Sequence, residues 1–159
     1  MNKLVIVLII FFANNPSAQT IYGLDVEYLD ARIIGKLNLD SRDSSIYIGK
    51  GSGSMSLNAI KNTIVGYNAG ESITTGRGNS ILGYQAGSSL ETGRYNAIFG
   101  TYAGNSLTTG NSNTFIGSSA GQEMQSGVNN VLIGISAAGQ NNNSFNTIIG
   151  AETALLSNG

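Results

Sequence analysis

The chain has 159 residues, among them 22 glycines, one proline and no cysteine, histidine or tryptophan, and its 8 basic and 9 acidic residues leave a net charge of −1. Without Cys or His, most zinc, haem, iron–sulfur and nucleophilic-triad chemistry is excluded, so neither an enzyme nor a cofactor is expected. A near-neutral chain with no basic block carries no electrostatic footprint for nucleic acid, and a charged fraction of 11% is far below the roughly 25% usual in globular domains.

In chain order, Lys3 supplies a positive start, Leu4 to Phe12 is an apolar run of nine residues, and Ala13 to Ala18 is short and polar. This pattern predicts a secretory signal peptide over 1–18, and therefore a secreted or cell-surface location. Nine apolar residues fall well short of the roughly 20 that span a bilayer, so no transmembrane span is expected. Pro16 fits poorly at the third position before a cut after Ala18, so the pattern does not fix the cleavage point. The exported chain forgoes disulfides, which implies another source of rigidity.

Residues 19–44 hold Asp25, Glu27, Asp30, Asp40 and Asp43 together with Arg32, Lys36 and Arg42. Leu24, Val26 and Tyr28 alternate with polar neighbours, as do Ile33, Leu37 and Leu39. Period-two alternation predicts half-buried strands, read here as a β entry segment or cap.

From Ser45 onward the sequence repeats. NTIVGYNAGESITTGRG (62–78), NSILGYQAGSSLETGRY (79–95), NAIFGTYAGNSLTTGNS (96–112) and NTFIGSSAGQEMQSGVN (113–129) are four copies of 17 residues each. A degenerate copy precedes them (45–61), a 16-residue copy follows (130–145), and a partial one occupies 146–159. Glycines recur at fixed offsets: Gly66, Gly83, Gly100 and Gly117; Gly70, Gly87, Gly104 and Gly121; Gly76, Gly93, Gly110 and Gly127. Glycine in register marks corners that need positive φ or close backbone approach. The apolar stretches between corners are too short for helices, so each repeat is predicted to form one coil with two short strands. Coils of this kind stack about 4.8 Å apart. The predicted fold is an all-β solenoid or β-roll of about six to seven coils over 45–159. Asn62, Asn79, Asn96, Asn113, Asn130 and Asn146 open successive coils and are assigned a structural role, bonding along the stack or to their own turns.

Two apolar residues precede the first glycine of each copy: Ile64 and Val65, Ile81 and Leu82, Ile98 and Phe99, Phe115 and Ile116, Leu132 and Ile133. Neighbours in a strand point to opposite faces. One column can therefore fill the coil with Ala69, Ala86, Ala103, Ala120 and with Ile73, Leu90, Leu107, Met124, and the other must face outward. A continuous exposed apolar stripe is normally an interaction surface. Its burial against copies of the same chain predicts a homo-oligomer, a trimer in first place. The competing expectation is a monomeric roll whose second column packs on another part of its own coil.

The unit N-[TSA]-[IF]-[VLFI]-G-x-x-A-G-x-x-[ILM]-x-[TS]-G resembles the glycine-rich repeats of phage tail-fibre-type proteins and related bacterial surface proteins. It is also similar to the head repeats of trimeric autotransporter adhesins, whose shorter N-S-x-A-I-G units form trimeric β-rolls. The resemblance covers residues 45–159 and identifies architecture more than ligand. It implies a structural or adhesive segment, a stiff shaft or head of a fibre used for host or surface attachment. Many tail-fibre-type proteins continue into a C-terminal autocleaving chaperone domain, and trimeric autotransporters into a membrane barrel. The sequence here reaches Gly159 inside a repeat, so a longer parent protein is expected. A signal peptide suits a bacterial surface protein better than a virion fibre.

Other motifs yield little. Gly49, Gly51 and Gly53 coincide with a repeat corner and lack the P-loop pattern. Calcium-binding nonapeptide rolls need Asp in each repeat, and no Asp follows Asp43. Glu71, Glu91, Glu123 and Glu152 fall in different columns, which argues against a tail-spike-type glycoside hydrolase. The candidate ligand surface comprises Tyr67 and Tyr84 in one column, Tyr102 one step along, Tyr95, and Arg77 above Arg94. Stacked aromatic and planar cationic groups suit a cell-surface glycan or receptor, although ordinary exposed or oligomer-facing positions of a shaft account for them equally simply and are preferred. A monomeric ice-binding solenoid would need a flat Thr array, which the columns Thr63, Ser80, Ala97, Thr114 and Thr74, Glu91, Thr108, Gln125 interrupt.

Overall fold

The computed structural model describes residues 45–53, 58–138, 142 and 144–153. The signal peptide expected over 1–18 and the entry segment expected over 19–44 lie outside the described residues.

Each repeat contributes one short strand: β1 (Ile46–Ile48), β2 (Thr63–Val65), β3 (Ser80–Leu82), β4 (Ala97–Phe99), β5 (Thr114–Ile116), β6 (Val131–Ile133) and β7 (Thr147–Ile149). They form a single seven-stranded parallel sheet in sequence order. Successive coils pair 17 residues apart, as in Ile64↔Ile81 and Ile81↔Ile98. The last step, Leu132↔Ile148, is 16 residues, the length of the shortened sixth copy. This is a β-solenoid of about six turns, and there is no helix among the described residues.

The backbone bonds between coils all the way round, not only in the sheet. Thr63 N–H donates to the Asn79 carbonyl at 2.8 Å, Gly70 to Ala86 at 2.9 Å, Ser72 to Ser88 at 3.0 Å and Thr74 to Glu91 at 2.9 Å. The second predicted strand is reduced to a single-residue bridge, Ile60↔Arg77↔Arg94↔Asn111↔Val128. The next residue in every coil is left-handed (Lys61, Gly78, Tyr95, Ser112 and Asn129, φ from 56° to 67°), which turns the chain out of the extended region after one pair.

The glycine corners divide into two physical kinds. Gly83 has φ +141°, and a Cβ there would lie 2.5 Å from the Gly100 carbonyl oxygen of the coil above. Gly93 has no unusual φ, yet a Cβ would meet the Gly110 carbonyl oxygen at 2.5 Å; here close stacking alone demands glycine.

The interior is one side chain thick. Ile64, Ile81, Ile98, Phe115 and Leu132 enter from the sheet, Ile73, Leu90, Leu107 and Met124 from the opposite wall, and Ala69, Ala86, Ala103, Ala120 and Ala137 from the corner, all buried. The asparagines complete it. Asn62, Asn79, Asn96, Asn113 and Asn130 are no more than 1% exposed. Asn96 shows the pattern: its Nδ2 donates to Asn79 Oδ1 at 3.0 Å and to the Gly110 carbonyl at 2.8 Å, while its backbone N–H donates to Asn79 Oδ1 at 3.0 Å. Asn62, Asn79, Asn96 and Asn113 each close their own coil against the glycine 14 residues on, and the amides of Asn79, Asn96, Asn113 and Asn130 also bond the preceding asparagine. No buried side-chain nitrogen or oxygen among the described residues lacks a hydrogen-bond partner, as a low-dielectric interior requires.

Candidate functional site

Three surfaces rise from this frame. The first is the outer face of the sheet. Alternation along each three-residue strand turns Val65, Leu82, Phe99, Ile116 and Ile133 away from the core that holds Ile64, Ile81, Ile98, Phe115 and Leu132. Leu82 is 51% and Ile116 38% exposed, Val65, Phe99 and Ile133 are half-buried, and Ile48 and Ile149 extend the column at either end. The second apolar column therefore does not pack on another part of its own coil.

The second surface is aromatic. Tyr67 and Tyr84 directly follow the positive-φ glycines Gly66 and Gly83, so their rings stack, with centroids 5.5 Å apart and planes at 11°. In the next coil Thr101 takes that position, and Tyr102 follows it with φ +57°. Its ring meets Tyr84 edge-on, at 5.4 Å and 82°. The Tyr102 hydroxyl, a hydrogen-bond partner and a like charge once ionised, raises the Tyr84 phenol above its ordinary range. The facing sides of Tyr67 and Tyr84 are spent on each other, so this ladder presents edges and hydroxyls more than open ring faces.

The third surface lies on the single-bridge side. Arg77 and Arg94 are bridge partners in adjacent coils. The Arg77 guanidinium sits 5.6 Å from the Tyr95 ring centroid. An open depression beside them is lined by Thr92, Arg94, Tyr95, Thr109 and Asn111. The six expected ligand residues thus form two groups, Tyr67–Tyr84–Tyr102 and Arg77–Arg94–Tyr95.

Sequence reasoning missed one column. Thr75, Thr92 and Thr109, each preceding the buried glycine of the TTG or ETG tripeptide, are all exposed in successive coils. The signal is the threonine that precedes Gly76, Gly93 and Gly110 in three successive copies, next to a more variable position. The neighbouring hydroxyls of Thr74 and Thr108 are spent on the next coil, donating to the carbonyls of Glu91 and Gln125 at 3.2 and 2.8 Å.

Among the described residues there is no group of three or more metal-ligating side chains, and no helix long and apolar enough to cross a membrane. No protein family, curated protein or solved structure matches this chain.

Proposed function

We propose that residues 45–159 are a non-catalytic structural and adhesive segment of a secreted or surface-displayed fibre, tail-fibre-like or adhesin-like, acting as a stiff shaft or head in host or surface attachment. Three chains associate through the outer face of the sheet. The observation that carries this reading is the apolar column running the length of the seven-stranded sheet with Leu82 half exposed and Ile149 70% exposed. Monomeric soluble proteins rarely leave a contiguous apolar surface of more than a few hundred Å² in water. A core one side chain thick has little burial of its own, so covering this face adds a second core between chains. Parallel rods sharing such a face close most simply around an axis along the rod, and cyclic closure prevents open-ended aggregation. Three is the number the repeat resemblance implies.

The solution mass of residues 19–159, measured by light scattering coupled to size exclusion, tests this. A threefold mass supports the fibre. A monomer overturns it and puts a monomeric ligand-binding solenoid in its place, with carbohydrate as the first ligand class to screen.

A further inference from the structure

Chain association leaves the arginine side of the coil unexplained. The parallel bridge between Arg77 and Arg94 sets two cationic side chains one coil apart, about 4.8 Å at the backbone. Like charges placed directly across neighbouring strands repel, and among the described residues neither arginine forms an ion pair. Arg77 finds a partner in the Tyr95 ring. Among the described residues the Arg94 guanidinium has none, and Arg94 borders the open depression that extends onto the next coil.

The rest of that depression consists of groups held in place with polar capacity to spare. Asn111 accepts from the Arg94 backbone N–H at 3.0 Å and donates from Nδ2 to the Thr109 carbonyl at 3.1 Å, which fixes Arg94 and Thr109 relative to each other across two coils. The hydroxyls of Thr92 and Thr109 make no hydrogen bond among the described residues. Tyr95 is 57% exposed and holds φ +58°, where the equivalent residue one coil earlier is Gly78 at +67°. A bulky residue in that region is uncommon and strained. No carboxylate lines the depression, so nothing there repels an anion.

We propose that this depression binds an acidic saccharide. The planar guanidinium of Arg94 matches a carboxylate with two parallel charge-assisted hydrogen bonds. The sugar ring lies against the exposed aromatic surface of Tyr95, and Thr92 and Thr109 bond its hydroxyls. The bound carboxylate also neutralises the Arg77–Arg94 repulsion, a gain that a neutral sugar does not offer. The inference rests on the attachment reading for its setting, yet the two fail separately, because the site is complete on one chain. A trimer that binds no acidic sugar sinks this inference alone, and a monomer that binds one sinks only the assembly.

The test is calorimetric titration of the full chain with trigalacturonate, with its methyl ester, and with inorganic sulfate. The acid should bind about tenfold or more tighter than the ester, with an affinity that falls as salt rises. Arg94→Gln should bring acid and ester to about the same affinity, with the circular dichroism of the folded chain retained. Arg94→Lys, which keeps the charge and loses the fork, should fall between. Thr109→Val keeps the charge in place and should weaken acid and ester alike. Equal affinity for acid and ester, no heat with either, or an Arg94→Gln chain that binds the acid as before would overturn the proposal. So would sulfate binding as tightly as trigalacturonate, which would leave a simple anion site.

Discussion

At the scale of single residues, the fold depends on side chains whose value comes from their column. Removing the Asn96 side chain leaves the Asn113 N–H, one Asn113 amide hydrogen and the Gly110 carbonyl without their partners in a buried place. Each orphaned buried group costs about 1–3 kcal/mol, so Asn96→Ala should lower the unfolding free energy by about 3 kcal/mol in a urea titration. Backbone handedness shows how such terms offset one another. Ala138 holds φ 49° in the slot that Gly70, Gly87, Gly104 and Gly121 fill in earlier coils at 52° to 60°. Glycine there would relieve roughly 1 kcal/mol of left-handed strain, but it has the greater unfolded entropy and gives up a buried methyl group of about 0.8 kcal/mol, so Ala138→Gly should not stabilise the chain in the same titration. For Tyr84, both the hydrogen bond and the like charge of Tyr102 raise the phenol. Tyr102→Phe removes both causes, and the phenolate absorbance of Tyr84 should then appear at lower pH. Because the folded phenol is the one raised, its contribution to stability is present below the ordinary phenol range and lost as pH climbs through the raised value.

At the scale of the strand, three residues must serve two faces. Serine at Val65, Leu82 and Phe99 together should dissociate the assembly while the coil interior stays intact. Serine at Ile64, Ile81 and Ile98 should unfold the chain itself, since truncating each buried isoleucine costs about 2–5 kcal/mol before the hydroxyl is counted. Mass and circular dichroism measured on both triple variants separate the two outcomes; equal, mild effects would contradict the division of faces. That division was legible in the sequence because Ile64–Val65 and its counterparts are adjacent, and adjacency in a strand means opposite sides. The second strand was misjudged for an equally physical reason. Lys61, Tyr95 and Ser112 look unremarkable in a sequence, yet each is left-handed. Stacking imposes that conformation, through bonds such as Tyr95 N–H to the Arg77 carbonyl at 3.0 Å, so no local propensity announces it. The Tyr67–Tyr84–Tyr102 cluster followed from column position. The Arg94 depression did not, since it needs Thr92 and Thr109 from neighbouring coils at a position the repeat made easy to overlook.

At the scale of the whole molecule, each described coil bonds to its neighbours above and below, so stability adds coil by coil. Deleting residues 113–129 joins Ser112 to Asn130, the same kind of junction that Ser112 makes with Asn113, and brings Val131 into the column of Thr114 beside Ala97. The shortened chain should fold, with the rod about 4.8 Å shorter by small-angle scattering. Deleting only 113–120 removes about half a coil, puts every later residue in the wrong column, and should abolish the cooperative transition. The asparagine column carries a further consequence. From Asn79 to Asn146 each backbone N–H and one Nδ2 hydrogen donate to the Oδ1 of the preceding asparagine, and the Asn62 backbone N–H ends the series on the Ser45 hydroxyl oxygen at 3.1 Å. That column is therefore a one-way conductor of hydrogen-bond polarity, whereas the backbone around it donates in both directions, from Thr63 up to Asn79 and from Gly66 back to Ile48. Any element that lengthens the column past Asn146 must arrive with a donor.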